Sequence, residues 1–316
     1  YFFEDTGDPG KNECRKELFQ DLKIINAGER YTSHIGMYPV LNLTLKSAKQ
    51  ENFEKAYYTM QMGIGIEFER HRSVIETGKK LLPPKDYERY VKIAEEKADK
   101  KEVRSSLQLF CRCMHTITGK NTVILIDEYD VPLENAYFRG FYEEMVDFTR
   151  SLFESALKTN DYLQFAVITG CLRISKESIF TGLNHLKIIS ILDQRYSEHF
   201  GFTEAEVRQI MAYYGVESRF PVMKEWYDGY TFGDTAVYNP WSVINFMYDL
   251  YANLNSFPRP YWVNTSSNDI IKDLIARADR ETKGQIETLL SGGTLDVQIH
   301  EEVTYGDMYS KGENLW

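Results

Sequence analysis

The pattern of apolar and polar positions along the chain is one of short unbroken apolar runs separated by longer stretches of helical periodicity. The central run lies in residues 123–130 (VILIDEYD), where Val123, Ile124, Leu125 and Ile126 follow one another and three of the four are β-branched. Such a run predicts a strand buried on both faces, at the centre of a parallel sheet. Residues 162–169 (YLQFAVIT) predict a second buried strand and 186–192 (LKIISIL) a third, while 38–45 (YPVLNLTL) alternates as a strand does. Helical spacing predicts helices over 14–22, 52–77 and 142–157, one or two within 85–117, and a short one in 175–186. Pro83 and Pro84 break the pattern. The alternation of strand and helix implies parallel pairing with right-handed crossovers.

Beyond Gly201 the pattern changes. Thr203 with Glu206 three residues on predicts a capping box at a helix start. Residues 225–233 (EWYDGYTFG) and 237–244 (VYNPWSVI) read as turns and short helices, with Pro240 at a first helical position. The expected organisation is an α/β core over 1–200 followed by a mostly helical region over 201–316.

Composition narrows the function classes. The chain has 316 residues, 43% of them apolar, and a net charge of −10. An acidic balance argues against a broad nucleic-acid-coating surface, though not against a local basic groove. No apolar run approaches the length of a membrane span, so no membrane partner is expected. Cys14, Cys111, Cys113 and Cys171 match neither a disulfide framework nor a zinc site, and are read as reduced thiols of a cytoplasmic protein. The chain starts at Tyr1 without a Met and runs to Trp316, which reads as a fragment of a longer protein.

The candidate chemistry sits where the central run ends, at Asp127, Glu128 and Asp130. Ligands of open α/β sheets bind outside the carboxyl ends of the strands. An acid pair there resembles a Walker B segment, whose first acid reaches Mg²⁺ and whose second prepares the attacking water; a core strand running into an acidic surface turn reads equally well. A Walker B strand requires a Gly-rich phosphate loop with Lys. Residues 7–12 (GDPGKN) follow no strand and carry Asn12 where Ser or Thr would reach Mg²⁺, and Gly119-Lys120-Asn121 precedes its strand. By spacing, the chain contains no phosphate loop. Arg173, just past the second strand, could read a γ-phosphate or pair with Glu177, four residues on; Thr169 at the strand tip could orient a water or simply end the strand. Trp226, Tyr227, Tyr230, Phe232, Tyr238 and Trp241 could stack bases, but core packing is the commoner use of such residues.

The segments IDEYDVPLENAY, ITGCLRISKESIFTGLNHL, HFGFTEAEV, EWYDGYTFG, VYNPWSVINF and YWVNTSSN, in that order, resemble the AAA-ATPase-like family of bacterial P-loop proteins. The resemblance implies a P-loop NTPase-like parallel sheet flanked by helices, here without its P-loop strand, and a helical lid subdomain over 201–316. It implies ATP and Mg²⁺ as ligands, with Asp127 the Mg²⁺-side acid, Glu128 the acid that activates water, and Arg173 at a phosphate-sensing position; Thr169, from its place at the strand tip, is the further cofactor-binding candidate. It also implies a phosphate loop upstream and a nuclease-like domain downstream, the latter the route to a nucleic-acid partner. Homo-oligomerisation is left open. The function expected is ATP binding and hydrolysis, inactive without the loop; the alternative is a nucleotide-responsive switch or scaffold regulating an attached nuclease-like domain.

Overall fold

The computed structural model describes residues 1–171, 179–180, 183, 185–262, 269–299 and 304–305. The chain divides into two compact units, Tyr1–Asn184 with Ala278–Trp316, and His185–Arg277. The sequence placed a single boundary near residue 200.

The first unit is built on a three-stranded sheet of β1 (Val40–Thr44), β2 (Thr122–Asp127) and β3 (Leu163–Ile168), in that order and all parallel. The expected α/β parallel sheet is therefore present, with the apolar run at its centre: Val123, Ile124 and Ile126 are buried. Before β1 lie α1 (Pro9–Glu17) and α2 (Glu29–Thr32). The crossover from β1 to β2 carries α3 (Phe53–Arg70), α4 (Arg72–Gly78), α5 (Pro84–Ala94), α6 (Lys100–Arg104) and α7 (Ser106–Thr118). The crossover from β2 to β3 carries α8 (Val131–Arg139) and α9 (Tyr142–Leu157).

Two local departures from the sequence reading have side-chain causes. Helix α1 begins earlier than the spacing predicts, because the Asp8 carboxylate accepts hydrogen bonds from the Gly10 and Lys11 amides at 3.0 and 3.3 Å and Pro9 opens the helix. The Gly-Lys of residues 7–12 is thus a capped helix start. The helix expected over 52–77 is broken at His71, whose buried ring turns inward to place Nε2 2.8 Å from the Val40 carbonyl oxygen.

His71 belongs to a group of side chains that closes the outer edge of β1. Glu67 accepts the Asn42 amide at 2.8 Å, and Arg70 donates to the Val40 carbonyl at 2.8 Å while forking onto Glu67 at 2.7 and 3.0 Å. Arg15 and Arg70 both pair with the buried Glu4. Burial, followed by the Arg70 charge, pushes the His71 imidazole down to about 4. The unfolded ring takes its proton near 6.5, so stability tied to His71 is complete above that pH and is lost as pH falls towards 4, by about 3 kcal/mol. Denaturation midpoints measured across this window should fall less in His71→Phe, which keeps the ring packing against Phe110, than in the wild type.

The opposite edge is different. Thr169 N donates to the Ile126 carbonyl at 2.9 Å and its carbonyl accepts from Tyr129 N at 3.1 Å. By parity, Ala166 and Ile168 turn their backbone groups to the far side of β3, where no described strand lies. β3 was expected to be buried; its residues are half-buried or exposed, with Val167 47% exposed. The third strand expected at 186–192 does not form. That stretch belongs to the second unit, pairs in no ladder, and leaves Ile188, Ile189, Ile191 and Leu192 exposed.

The second unit contains β4 (Phe202–Thr203), α10 (Glu204–Tyr213), α11 (Phe220–Tyr227), β5 (Asp228–Phe232), β6 (Thr235–Tyr238), α12 (Pro240–Ala252) and α13 (Asp269–Arg277). The capping box at Thr203 and Glu206 is formed. What was read as turns is a hairpin, and the antiparallel sheet has the order β4-β6-β5. Two helices between the first strand and a hairpin whose second arm pairs back onto that strand is the connectivity of a winged helix-turn-helix. Its core joins Val207, Met211, Met223, Tyr227, Phe246 and Leu250. Helix α14 (Arg280–Leu290) returns to the first unit, where Tyr305 is buried and stacks on Tyr137 at 5.3 Å. Among the described residues no helix is long and apolar enough to cross a membrane.

Candidate functional site

The site is assembled where β2 and β3 end. The apolar run keeps β2 buried, with Leu125 half-buried, until Asp127, which is exposed. The Asp127 carbonyl takes a last rung from Leu45 N at 2.9 Å, and Thr44 is its register partner on β1. On the other side the Thr169 hydroxyl donates to Asp127 Oδ1. The two residues, 42 apart in the chain, meet because parallel strands in this register finish at one level.

Glu128 follows in the left-handed region, with φ of 55°. That conformation costs a non-glycine residue about 1–2 kcal/mol. It lets the chain turn sharply out of the sheet. The only described partner of the Glu128 carboxylate is Lys46, with Nζ 3.9 Å from Oε1 and 77% exposed at its side chain. A pair that long and wet holds little energy.

Asp130 is buried at the head of α8 and accepts a hydrogen bond from Cys171 N at 2.9 Å. This bond ties the turn after β2 to the chain leaving β3. The approach is close enough to require glycine at position 170. A Cβ there would lie 2.6 Å from the Tyr129 ring and 2.7 Å from Asp130 Oδ1. Gly170→Ala is expected to cost about 1–3 kcal/mol in urea denaturation and to shift the Asp130–Cys171 contact. An unchanged midpoint would mean that the turn yields freely.

The electrostatics of this end are negative. Burial, followed by the charges of Asp130, Glu128, Glu134 and Asp127, raises the Cys171 thiol pKa. Among the described residues no three His, Cys, Asp or Glu side chains are grouped to hold a metal by themselves. A carboxylate fixed by a hydroxyl, with a second carboxylate beside it, suits a hydrated Mg²⁺, which takes one or two protein carboxylates and fills its other positions from water and phosphate.

Of the residues singled out in the sequence, Asp127 and Thr169 are brought into contact and Glu128 stands next to them. Arg173 and Glu177 lie outside the described residues. Tyr227 and Tyr238 are core residues, whereas Trp226, Tyr230 and Trp241 are about half exposed. Sequence reasoning missed Lys46, which no local pattern marks. It noted Asp130 without the close approach of the chain at Gly170, for which a glycine directly after an apolar strand was the available signal.

Residues 5–180 match the family model described as AAA-ATPase-like, "Predicted AAA-ATPase". A curated protein of Azotobacter chroococcum mcd 1, described as an uncharacterized protein in the vnfD 5′ region, is 33% identical over 176 residues, which are 55% of this chain and 33% of that protein. The chain therefore matches about a third of that relative's length. No solved structure matches.

Proposed function

Because the chain belongs to the predicted AAA-ATPase-like family, we propose that it is the ATP-binding and ATP-hydrolysing part of a larger cytoplasmic protein, completed by a phosphate-binding loop that these 316 residues do not contain. The observation that carries this reading is the hydrogen-bonded pair of Asp127 and Thr169 at the tip of the central strand. Within the proposal, Asp127 holds the Mg²⁺ side of the nucleotide and the Thr169 hydroxyl fixes the carboxylate's orientation. Glu128, directed by the left-handed turn, orients the attacking water and accepts its proton. To Arg173 the proposal gives the part of reading the γ-phosphate. When bound, the metal neutralises charge on the β- and γ-phosphate oxygens. The open edge of β3 accepts the strand that delivers the phosphate loop, and a nuclease-like domain further along the polypeptide would be the effector.

The Lys46–Glu128 contact favours a second reading, a nucleotide-responsive switch in which Glu128 is a surface carboxylate turned towards Lys46 and turnover is incidental. The test of nucleotide binding common to both is Asp127→Ala in a protein carrying the phosphate loop. Affinity for ATP measured with Mg²⁺ should fall at least roughly tenfold, while affinity in EDTA stays the same. Equal Mg²⁺ dependence in variant and wild type would remove Asp127 from the metal.

A further inference from the structure

Helix α12 is apolar on two faces. One face, Val243, Phe246, Met247 and Leu250, is buried in the core of the second unit. The other carries Trp241, Ile244, Tyr248 and Tyr251, each more than half exposed. A helix that is apolar all round is ordinarily buried all round. The second face is not a scatter of residues, because its spacings of three, four and three are those of a coiled-coil seam. The Trp241 indole already donates to the Tyr261 carbonyl at 3.2 Å, so its ring needs no polar partner. The Tyr251 ring meets Tyr214 at 5.9 Å, and Tyr214 meets the 83%-exposed Tyr213 at 5.0 Å. The patch therefore runs unbroken from α12 onto the end of α10.

We propose that this face joins two copies of the chain, with their α12 helices packed antiparallel across a two-fold axis. The seam is self-complementary in that orientation. Trp241 of one copy falls opposite Tyr251 of the other, and Ile244 opposite Tyr248, so each contact occurs twice, as an isologous interface requires. The Tyr213–Tyr214 pair then flanks the incoming Trp241. No like charges meet across the axis, since the sole charged residue of α12 is Asp249, held by Arg259 and Tyr261. The area is sufficient. With about 150–250 Å² for a whole aromatic side chain, the exposed parts of these rings together with Ile244 offer roughly 700 Å² per copy, close to the share of about 800 Å² of each partner in a standard stable interface.

The winged helix-turn-helix connectivity raises nucleic acid as a competing occupant, since the second helix of such modules enters the major groove. The charges argue against it. Arg208 and Lys224 are both paired with Glu204, α11 carries Glu225, and the β5–β6 hairpin carries Asp228 and Asp234. A groove reader neutralises phosphates with unpaired bases.

The inference is independent of the nucleotide reading, and its test separates it from pairing at the β3 edge. Ala166→Pro removes an N–H on the open side of β3 and leaves the β2 ladder intact. In sedimentation at micromolar concentration, the Ala166→Pro chain should be a dimer. Adding Tyr248→Glu should raise its dissociation constant at least roughly 100-fold, with the circular dichroism spectrum unchanged, whereas Tyr248→Phe should leave the dimer in place. In the wild-type chain, whose β3 edge is also open, Tyr248→Glu should cut assembly back to whatever pairing the β3 edge allows. A monomeric Ala166→Pro chain, or a dimer indifferent to Tyr248→Glu, overturns the proposal. So does binding of a short DNA duplex by the wild type that Tyr248→Glu abolishes, which would give the face to nucleic acid.

Discussion

Glu128→Gln should reduce ATP turnover by at least roughly 100-fold and leave ATP binding unchanged, in a protein that carries both this chain and its phosphate loop. Gln keeps the length and the hydrogen-bonding reach of the side chain but cannot accept a proton from water. On the proposed reading nucleotide affinity rests on phosphate donors and on Asp127, so it should not change. Glu128→Gly is the informative companion. Glycine adopts a φ of 55° without strain, so this variant should lose turnover while gaining about 1 kcal/mol of stability. A Glu retained for structure would show the opposite coupling, with turnover intact in Glu128→Gln and the stability change alone in Glu128→Gly. Single-turnover kinetics beside a denaturant titration read both quantities. Wild-type turnover in Glu128→Gln would leave the switch reading standing, with no catalytic part for the carboxylate.

The second expected result concerns the 316-residue chain by itself: no ATP hydrolysis, and Mg-ATP binding weaker than about 1 mM. Phosphate affinity at such sites comes from the backbone N–H groups of the loop, its Lys, and its Ser or Thr on the metal. None of these is present at the end of β2. Among the described residues what is present is mainly anionic, namely Asp127, Glu128 and the buried Asp130, against the exposed Lys46, and together with burial these acids raise the Cys171 thiol pKa. Without the loop, these groups repel a polyphosphate. Joining the strand and loop to the open side of β3 should restore affinity and turnover together. Isothermal titration of the unjoined chain decides the matter: micromolar binding would mean that phosphate donors exist elsewhere in it, with the capped helix start at Asp8–Lys11 the first place to look.

The fold was legible in the sequence where one element satisfies its own surroundings. β2 could be read because a strand buried on both faces must be apolar throughout, and α9 because its apolar spacing is uninterrupted from Tyr142 to Leu157. β3 was placed correctly but its setting was misjudged: YLQFAVIT shows that a strand is apolar, not that a neighbour covers it. The same limit explains 186–192, where apolar content suggested a strand but no ladder partner lies among the described residues. The β5–β6 hairpin was hidden by its glycines. Gly233, with φ of 53°, forms the turn with Asp234, while Gly229 sits inside β5 at a shift of register. A Gly-Asp pair between Tyr230-Thr231-Phe232 and an alternating Thr-Ala-Val-Tyr was the readable signal. At the site, Asp127, Glu128 and Thr169 were legible as strand ends. Lys46 was not, since it reaches Glu128 only through the turn that follows β1, and the break at His71 depends on a carbonyl 31 residues away.

The unequal edges of the central sheet set how many neighbours a copy can hold. On the β1 side, Glu67, Arg70 and His71 occupy the backbone groups that another strand would need, so the sheet is blocked there and cannot seed a fibre that requires two sticky edges. The β3 side stays receptive. A copy with that side empty and the α12 seam exposed has a valence of two, and two different self-pairing faces extend an assembly beyond the pair until its symmetry closes it. Occupation of the β3 side by a strand of the same polypeptide lowers the valence to one, and assembly stops at the pair. The strand that would complete the nucleotide site would also act as the chain terminator.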